Sequence, residues 1–144
     1  MDDANVQKDS IYIVEFNVSQ GKSKVPELAV IGGKVSLHIE CAIYVPIDFS
    51  EINLNKNNFI YFTAFANEKA VSQQLGVLPL DPDYSLFKYD VDFNFKVPEG
   101  IKNIGFQAAY TNKQSSDPEI AESLHYGRFF KTYIPIKQEG INGN

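Results

Sequence analysis

The stretch from Tyr84 to Thr111 constrains the fold more than any other part of the chain. Phe87, Tyr89, Val91, Phe93, Phe95 and Val97 alternate with Lys88, Asp90, Asp92, Asn94 and Lys96, the two-residue period of a strand with one buried and one wet face. A corner at Val97-Pro98-Glu99-Gly100 follows, and a second alternating run continues from Ile101 to Thr111.

The segment Lys34–Phe49 repeats the signal. Val35, Leu37, Ile39, Cys41, Ile43, Val45 and Ile47 share one parity, and Ser36, His38, Glu40, Tyr44 and Asp48 the other, with Pro46 marking where pairing ends. Ile11–Val18 reads as the first strand, with Val14, Phe16 and Val18 inward. Val25–Ile31, which carries Pro26, reads as an edge segment before the tight turn at Gly32-Gly33. Phe59–Asn67 is apolar on both parities, so this strand is either covered on both sides or presents an aromatic row. Glu68–Gln74 reads as a helical turn or loop and Gly76–Pro82 as an irregular crossover. Ser116-Asp117-Pro118-Glu119 suggests a helix start, giving one short helical turn near residues 117–123. His125–Lys137 closes the series.

Seven or eight strands with turn signals between them, and no long helical period, point to an antiparallel β-sandwich. The long strand, Pro-containing corner and alternating strand ending in Tyr110 resemble the strand–corner–strand found late in immunoglobulin-like and fibronectin-like domains. The resemblance covers about a fifth of the chain and implies an immunoglobulin-like order, with a jelly-roll sandwich as the alternative. The paired cysteines and core tryptophan of antibody domains are missing, since the chain has one Cys and no Trp. Residues 1–10 read as a flexible lead, 11–137 as a single sandwich domain and 138–144 as a flexible tail.

Eighteen acidic against 13 basic residues, a net charge of -5 and scattered lysines offer nothing to release counterions from nucleic acid. No apolar run approaches the roughly 20 residues needed to span a bilayer, so no membrane insertion is expected. The polar start lacks a signal peptide's apolar centre. This implies a cytoplasmic chain as it stands, or a secreted or cell-surface one if a signal was removed.

Chemistry finds few carriers. Cys41 and His38 lie on opposite parities of one strand, so they cannot form a nucleophile–base pair there. Two histidines 87 residues apart and a single cysteine make a weak metal set. Asp81, Asp83, Asp117 and Glu119 supply loop oxygens as weak calcium candidates, without the spacing of a calcium loop. No cofactor and no enzymatic activity are expected, a small hydrolase around His125 being the distant alternative.

Function is expected instead at 110–130, where a long polar connection joins Tyr110 to His125-Tyr126-Gly127-Arg128-Phe129-Phe130 and contains the chain's only arginine. Tyr and Arg anchor interfaces because they bring large area or a rigid donor fork with few torsions to freeze. Tyr110, His125, Tyr126, Arg128 and Phe129 are therefore the candidate residues of a non-enzymatic binding module for a protein or, less favoured, a carbohydrate. The alternative is a self-assembling structural subunit using the Phe59–Phe65 face or the Val25–Ile31 edge.

Overall fold

A computed structural model describes residues 11–21, 23–46, 57–79, 86–113 and 119–139. Nine strands and one helix are found among them: β1 (Tyr12–Gln20), β2 (Ser23–Lys24), β3 (Leu28–Ile31), β4 (Lys34–Tyr44), β5 (Asn58–Ala66), β6 (Lys69–Leu78), β7 (Leu86–Lys96), β8 (Asn103–Thr111), α1 (Ile120–Tyr126) and β9 (Arg128–Glu139). In the first layer β4 lies between β1 and β7, with β2 on the far side of β1. The second layer runs β6-β5-β8-β9. β3 carries the chain between them, meeting β4 at Ile31 and pairing in parallel with β9 from Leu28↔Ile136 to Ile31↔Glu139. Hydrogen bonding is therefore continuous, and the two layers are one sheet curled on itself. This is the expected all-β, sandwich-like architecture, antiparallel apart from the β3–β9 pair, with nine strands among the described residues where the alternation leads to seven or eight.

The crossing point is held by a side chain. Where β1 ends, the Gln20 amide donates to the carbonyls of Ala29 (3.0 Å) and Ser36 (3.1 Å) and accepts from the Ala29 N–H (2.8 Å). It thus serves backbone groups that a ladder would otherwise satisfy.

The core follows the two clearest patterns. Val35, Leu37, Ile39, Cys41 and Ile43 of β4 and Val91, Phe93 and Phe95 of β7 are buried against Ile60, Phe62, Ile104 and Phe106 of the second layer. The Phe93 and Phe106 rings meet at 5.7 Å. Truncating a fully buried Phe such as Phe93 would cost roughly 3–5 kcal/mol. As the parities require, Cys41 lies in this core while His38 stands on the opposite face.

Several local expectations need correction. Val14 is 54% exposed, because a register shift between Ile13 and Glu15 exchanges the faces of β1 at that point. The segment read as a helical turn plus crossover is the hairpin strand β6. It follows a two-residue turn in which Asn67 (φ 54) and Glu68 (φ 63) are both left-handed. As an edge strand β6 is wet on much of both faces, which erases the alternation. Gly76 on β6 is needed for close approach: a Cβ there would lie 2.8 Å from the Tyr89 ring, which crosses from β7 and donates its hydroxyl to the Val77 carbonyl at 3.0 Å. The Val25–Ile31 edge is not free, since Leu28 and Val30 are fully buried and β3 is engaged by β9. Helix α1 starts at Ile120 with Glu119 as its cap, and His125 belongs to the helix rather than to the closing strand. β4 ends at Tyr44; Ile47–Phe49, Tyr84 and Ser85 lie outside the described residues.

Candidate functional site

The outward face of the second layer is ordered by register. Leu75, Tyr61, Ala109 and Arg128 are successive cross-strand neighbours from β6 to β9; beside them run Val77, Phe59 and Thr111. An outward row containing Phe59 and Tyr61 should be exposed, yet Phe59, Tyr61, Ala109 and Thr111 are all at or below 8% exposure. Of the sequence alternatives for β5, burial on both sides is the one realised. Within the Phe59–Phe65 face that the assembly alternative uses, Phe59 and Tyr61 are thus buried in the single chain and Phe65 is half-buried.

Helix α1 packs on β8 at this end. The Thr111 and Ser123 hydroxyls are hydrogen-bonded, the Thr111 hydroxyl accepts the Lys113 N–H at 3.0 Å, and Lys113 pairs with Glu119 at 2.9 Å. Gly127 closes the connection: its N–H donates to the Ser123 carbonyl (2.8 Å) and its carbonyl accepts the Tyr110 N–H (2.9 Å). A Cβ at Gly127 would overlap the Tyr110 carbonyl oxygen, so glycine is required here by close approach and not by its φ of -86.

This arrangement divides the five candidate residues. Tyr126 is 79% exposed, with the His125 ring edge-on to it at 5.2 Å, and Arg128 is exposed beside them on β9. Tyr110 is buried and donates its hydroxyl to the Asn58 side chain; it shares the inward parity of Ala108 and Phe106, so it is support rather than contact. Phe129 is half-buried against the core, because a register shift between Ala108 and Ala109 lets Phe129 and Phe130 both turn inward. Of the calcium candidates, Glu119 is engaged by Lys113, and Asp81, Asp83 and Asp117 lie outside the described residues.

Sequence reasoning misses the other end of this face. Gly105 on β8 lets the Tyr133 ring lie across it: a Cβ would be 3.0 Å from that ring. The Tyr133 hydroxyl donates to Glu68 at 2.9 Å, and Lys131 donates to the other Glu68 oxygen at 3.1 Å while standing over the Phe65 and Tyr133 rings. The Lys131 bond, and then the Tyr133 bond, hold the Glu68 carboxyl below its ordinary 4.5; the same contacts, Glu68 first, raise Lys131. Tyr133 is 48% exposed and borders a cleft of about 190 Å³ lined also by Asn67, Lys102 and Asn103. Leu75 and Val77 add exposed apolar area on β6. The glycine opposite an outward Tyr was the available signal, but it depends on a cross-strand register that the sequence does not display.

The first layer carries two further titratable features. Burial pushes the Cys41 thiol up to about 12. On the outward face the His38 imidazole bonds Asp92 and Asp90, the Asp92 bond being the larger reason that its pKa stands above 6.5. No helix among the described residues is long and apolar enough to cross a membrane.

No protein-family model matches the chain, and no curated protein matches it. Among solved structures, a glycosyl hydrolase family 2 member from Bacteroides cellulosilyticus DSM 14838 is similar over 88% of this chain, at 10% identity and a TM-score of 0.50. The chain spans 15% of that protein's length. The N-terminal domain of PorA aligns over 87% of this chain and 98% of its own, at 10% identity and a TM-score of 0.26. At this identity the hydrolase likeness is one of fold, and the fold is β-sandwich-like.

Proposed function

We propose that the domain is a non-enzymatic binding module that recognises a protein partner through the outward face of its second layer, with Tyr126 and Arg128 as anchors. The observation that carries this reading is Tyr126 itself. A tyrosine 79% exposed sits at the end of a helix whose other contacts are fixed by Gly127 and by the Thr111–Ser123 bond. A large side chain held out from a rigid mount loses little entropy on being covered, which is what an interface anchor needs. Leu75 and Val77 on the same face supply apolar area, and Arg128 a planar donor fork. The non-enzymatic half of the reading is supported by Cys41, the chain's only thiol, which is buried and held protonated.

The test is quantitative capture of a partner from native extract by wild-type protein, Tyr126→Ala, Arg128→Ala and the control Tyr12→Ala, which alters the other layer. The two anchor variants should weaken binding by at least about tenfold, in line with truncation of an interface anchor. Equal capture by all four proteins refutes the assignment of the face. Tyr133 favours a second reading, since an exposed ring bordered by Glu68, Asn67 and Asn103 also suits a sugar ring. Oligosaccharide binding lost in Tyr133→Ala but kept in Tyr126→Ala would select it.

A further inference from the structure

The first layer has a wet face of its own, and its charges are segregated. Lys34 opposes Lys96 at one end, while two adjacent cross-strand pairs, His38↔Asp92 and Glu40↔Asp90, occupy the middle of β4 and β7. Glu40 and Asp90 are thus like charges placed directly opposite each other, which costs stability unless something lies between them. From β1, Ser19 faces His38, Asn17 faces Glu40 and Glu15 faces Ala42; from β7, Lys88 faces Ala42. Around the pair, Asp92 and Glu15 are further carboxylates, Ser19 and Asn17 are neutral, and Lys88 is the cation beside them.

We propose that this face holds a divalent transition-metal ion of the zinc class, with His38, Asp90 and Glu40 as ligands and Asp92 as the residue that positions His38. The imidazole distinguishes the cluster from an ordinary acidic patch. Asp92 Oδ1 lies 2.7 Å from His38 Nδ1, the outer-shell carboxylate contact that fixes the tautomer of a metal-bound histidine and turns its other nitrogen to the metal. That other nitrogen, Nε2, lies 3.1 Å from Asp90 Oδ1. Two ligands of one tetrahedral zinc stand roughly 3.4 Å apart, so the pair needs to open by only a few tenths of an ångström. Donor atoms of His38, Glu40 and Asp90 all lie within 4.8 Å of one another. One nitrogen and two carboxylates on two hydrogen-bonded strands make a three-ligand set with an open position for water, and the nitrogen favours zinc-class ions over magnesium or calcium. A divalent ion would also relieve the Glu40–Asp90 opposition, which a single imidazolium does only in part.

The experiment is calorimetric titration of the metal-free full chain with zinc chloride, with magnesium chloride as comparison. Wild type should bind one zinc saturably and show no magnesium heat. His38→Gln and Asp90→Asn should each weaken zinc at least tenfold. Asp92→Asn should weaken it about 10- to 100-fold, the usual effect of losing an outer-shell partner, while Glu99→Gln in the β7–β8 turn should change nothing. A second measurement uses wild type alone: zinc should shift the His38 imidazole and β4–β7 amide resonances and leave those of His125, the only other histidine, in place. Absence of saturable heat, unchanged affinity in His38→Gln, or shifts centred on His125 would each overturn the assignment. The face is remote from Tyr126, so failure here leaves the binding-module reading standing.

Discussion

Replacing Gly127 with alanine sets two physical effects against each other with opposite signs. The backbone there has an ordinary φ of -86, so alanine restricts the unfolded chain and, on that count alone, would stabilise by about 0.4–1 kcal/mol. Sterically, the new Cβ would overlap the Tyr110 carbonyl oxygen and stand 3.0 Å from the Ser123 carbonyl oxygen. Both obstacles are backbone atoms, which cannot rotate away. Relief requires lifting the end of α1 from β8 and losing the Tyr110–Gly127 and Gly127–Ser123 bonds. Either two backbone hydrogen bonds at about 1 kcal/mol each are lost or an overpacking cost of roughly 1–3 kcal/mol is borne instead, and after the unfolded-state gain the net loss is about 1–2.5 kcal/mol. The melting temperature of Gly127→Ala should fall by about 3–8 °C for a domain of this size, and amide exchange in Ile120–Tyr126 should accelerate. A melting temperature equal to or above that of wild type would refute the steric argument. Partner affinity should fall as well, because Tyr126 loses its mount.

Glu68→Gln tests the Tyr133 cluster by pH. Since the folded carboxyl titrates below its ordinary 4.5, its contribution is present above that value and lost as pH falls through the lower one. The difference in urea midpoint between wild type and variant should therefore be present near neutrality and vanish in acid; a constant difference would show that the charge is irrelevant. Cys41, buried with its thiol near 12, should resist a thiol reagent at mildly alkaline pH until the chain unfolds, and prompt labelling of native protein would contradict its place in the core. Tyr126→Ala should leave the melting temperature within about 2 °C of wild type, as for surface substitutions generally; a larger drop would make the residue structural.

The parts of the fold legible in the sequence are those where one face is dry and the other wet. β4 and β7 satisfy this along their length, so their core residues and the opposite placement of Cys41 and His38 could be read directly. β6 could not, because an edge strand has no fully dry side, and its turn is signalled only by Asn67 while Glu68 is an unusual left-handed residue. Val14 and Phe129 were obscured by single-residue register shifts, each of which reverses the faces on one side of it. The candidate site was partly visible. Composition singled out Tyr126 and Arg128, and parity could have removed Tyr110. The His38–Asp92 and Tyr133–Glu68 contacts join residues 54 and 65 positions apart, and such meetings depend on strand order that local pattern does not encode.

The parallel pairing of β3 with β9 also bears on how the chain acquires its structure. Leu28 meets Ile136, so this segment is completed by one that lies far along the chain from it. Until β9 has been made, Leu28 and Val30, which are fully buried in the finished domain, have no parallel partner to close against. Contacts of such long separation form slowly, on a scale of about milliseconds to seconds. Closure of the sandwich at β3 is therefore a late event in folding that waits on β9.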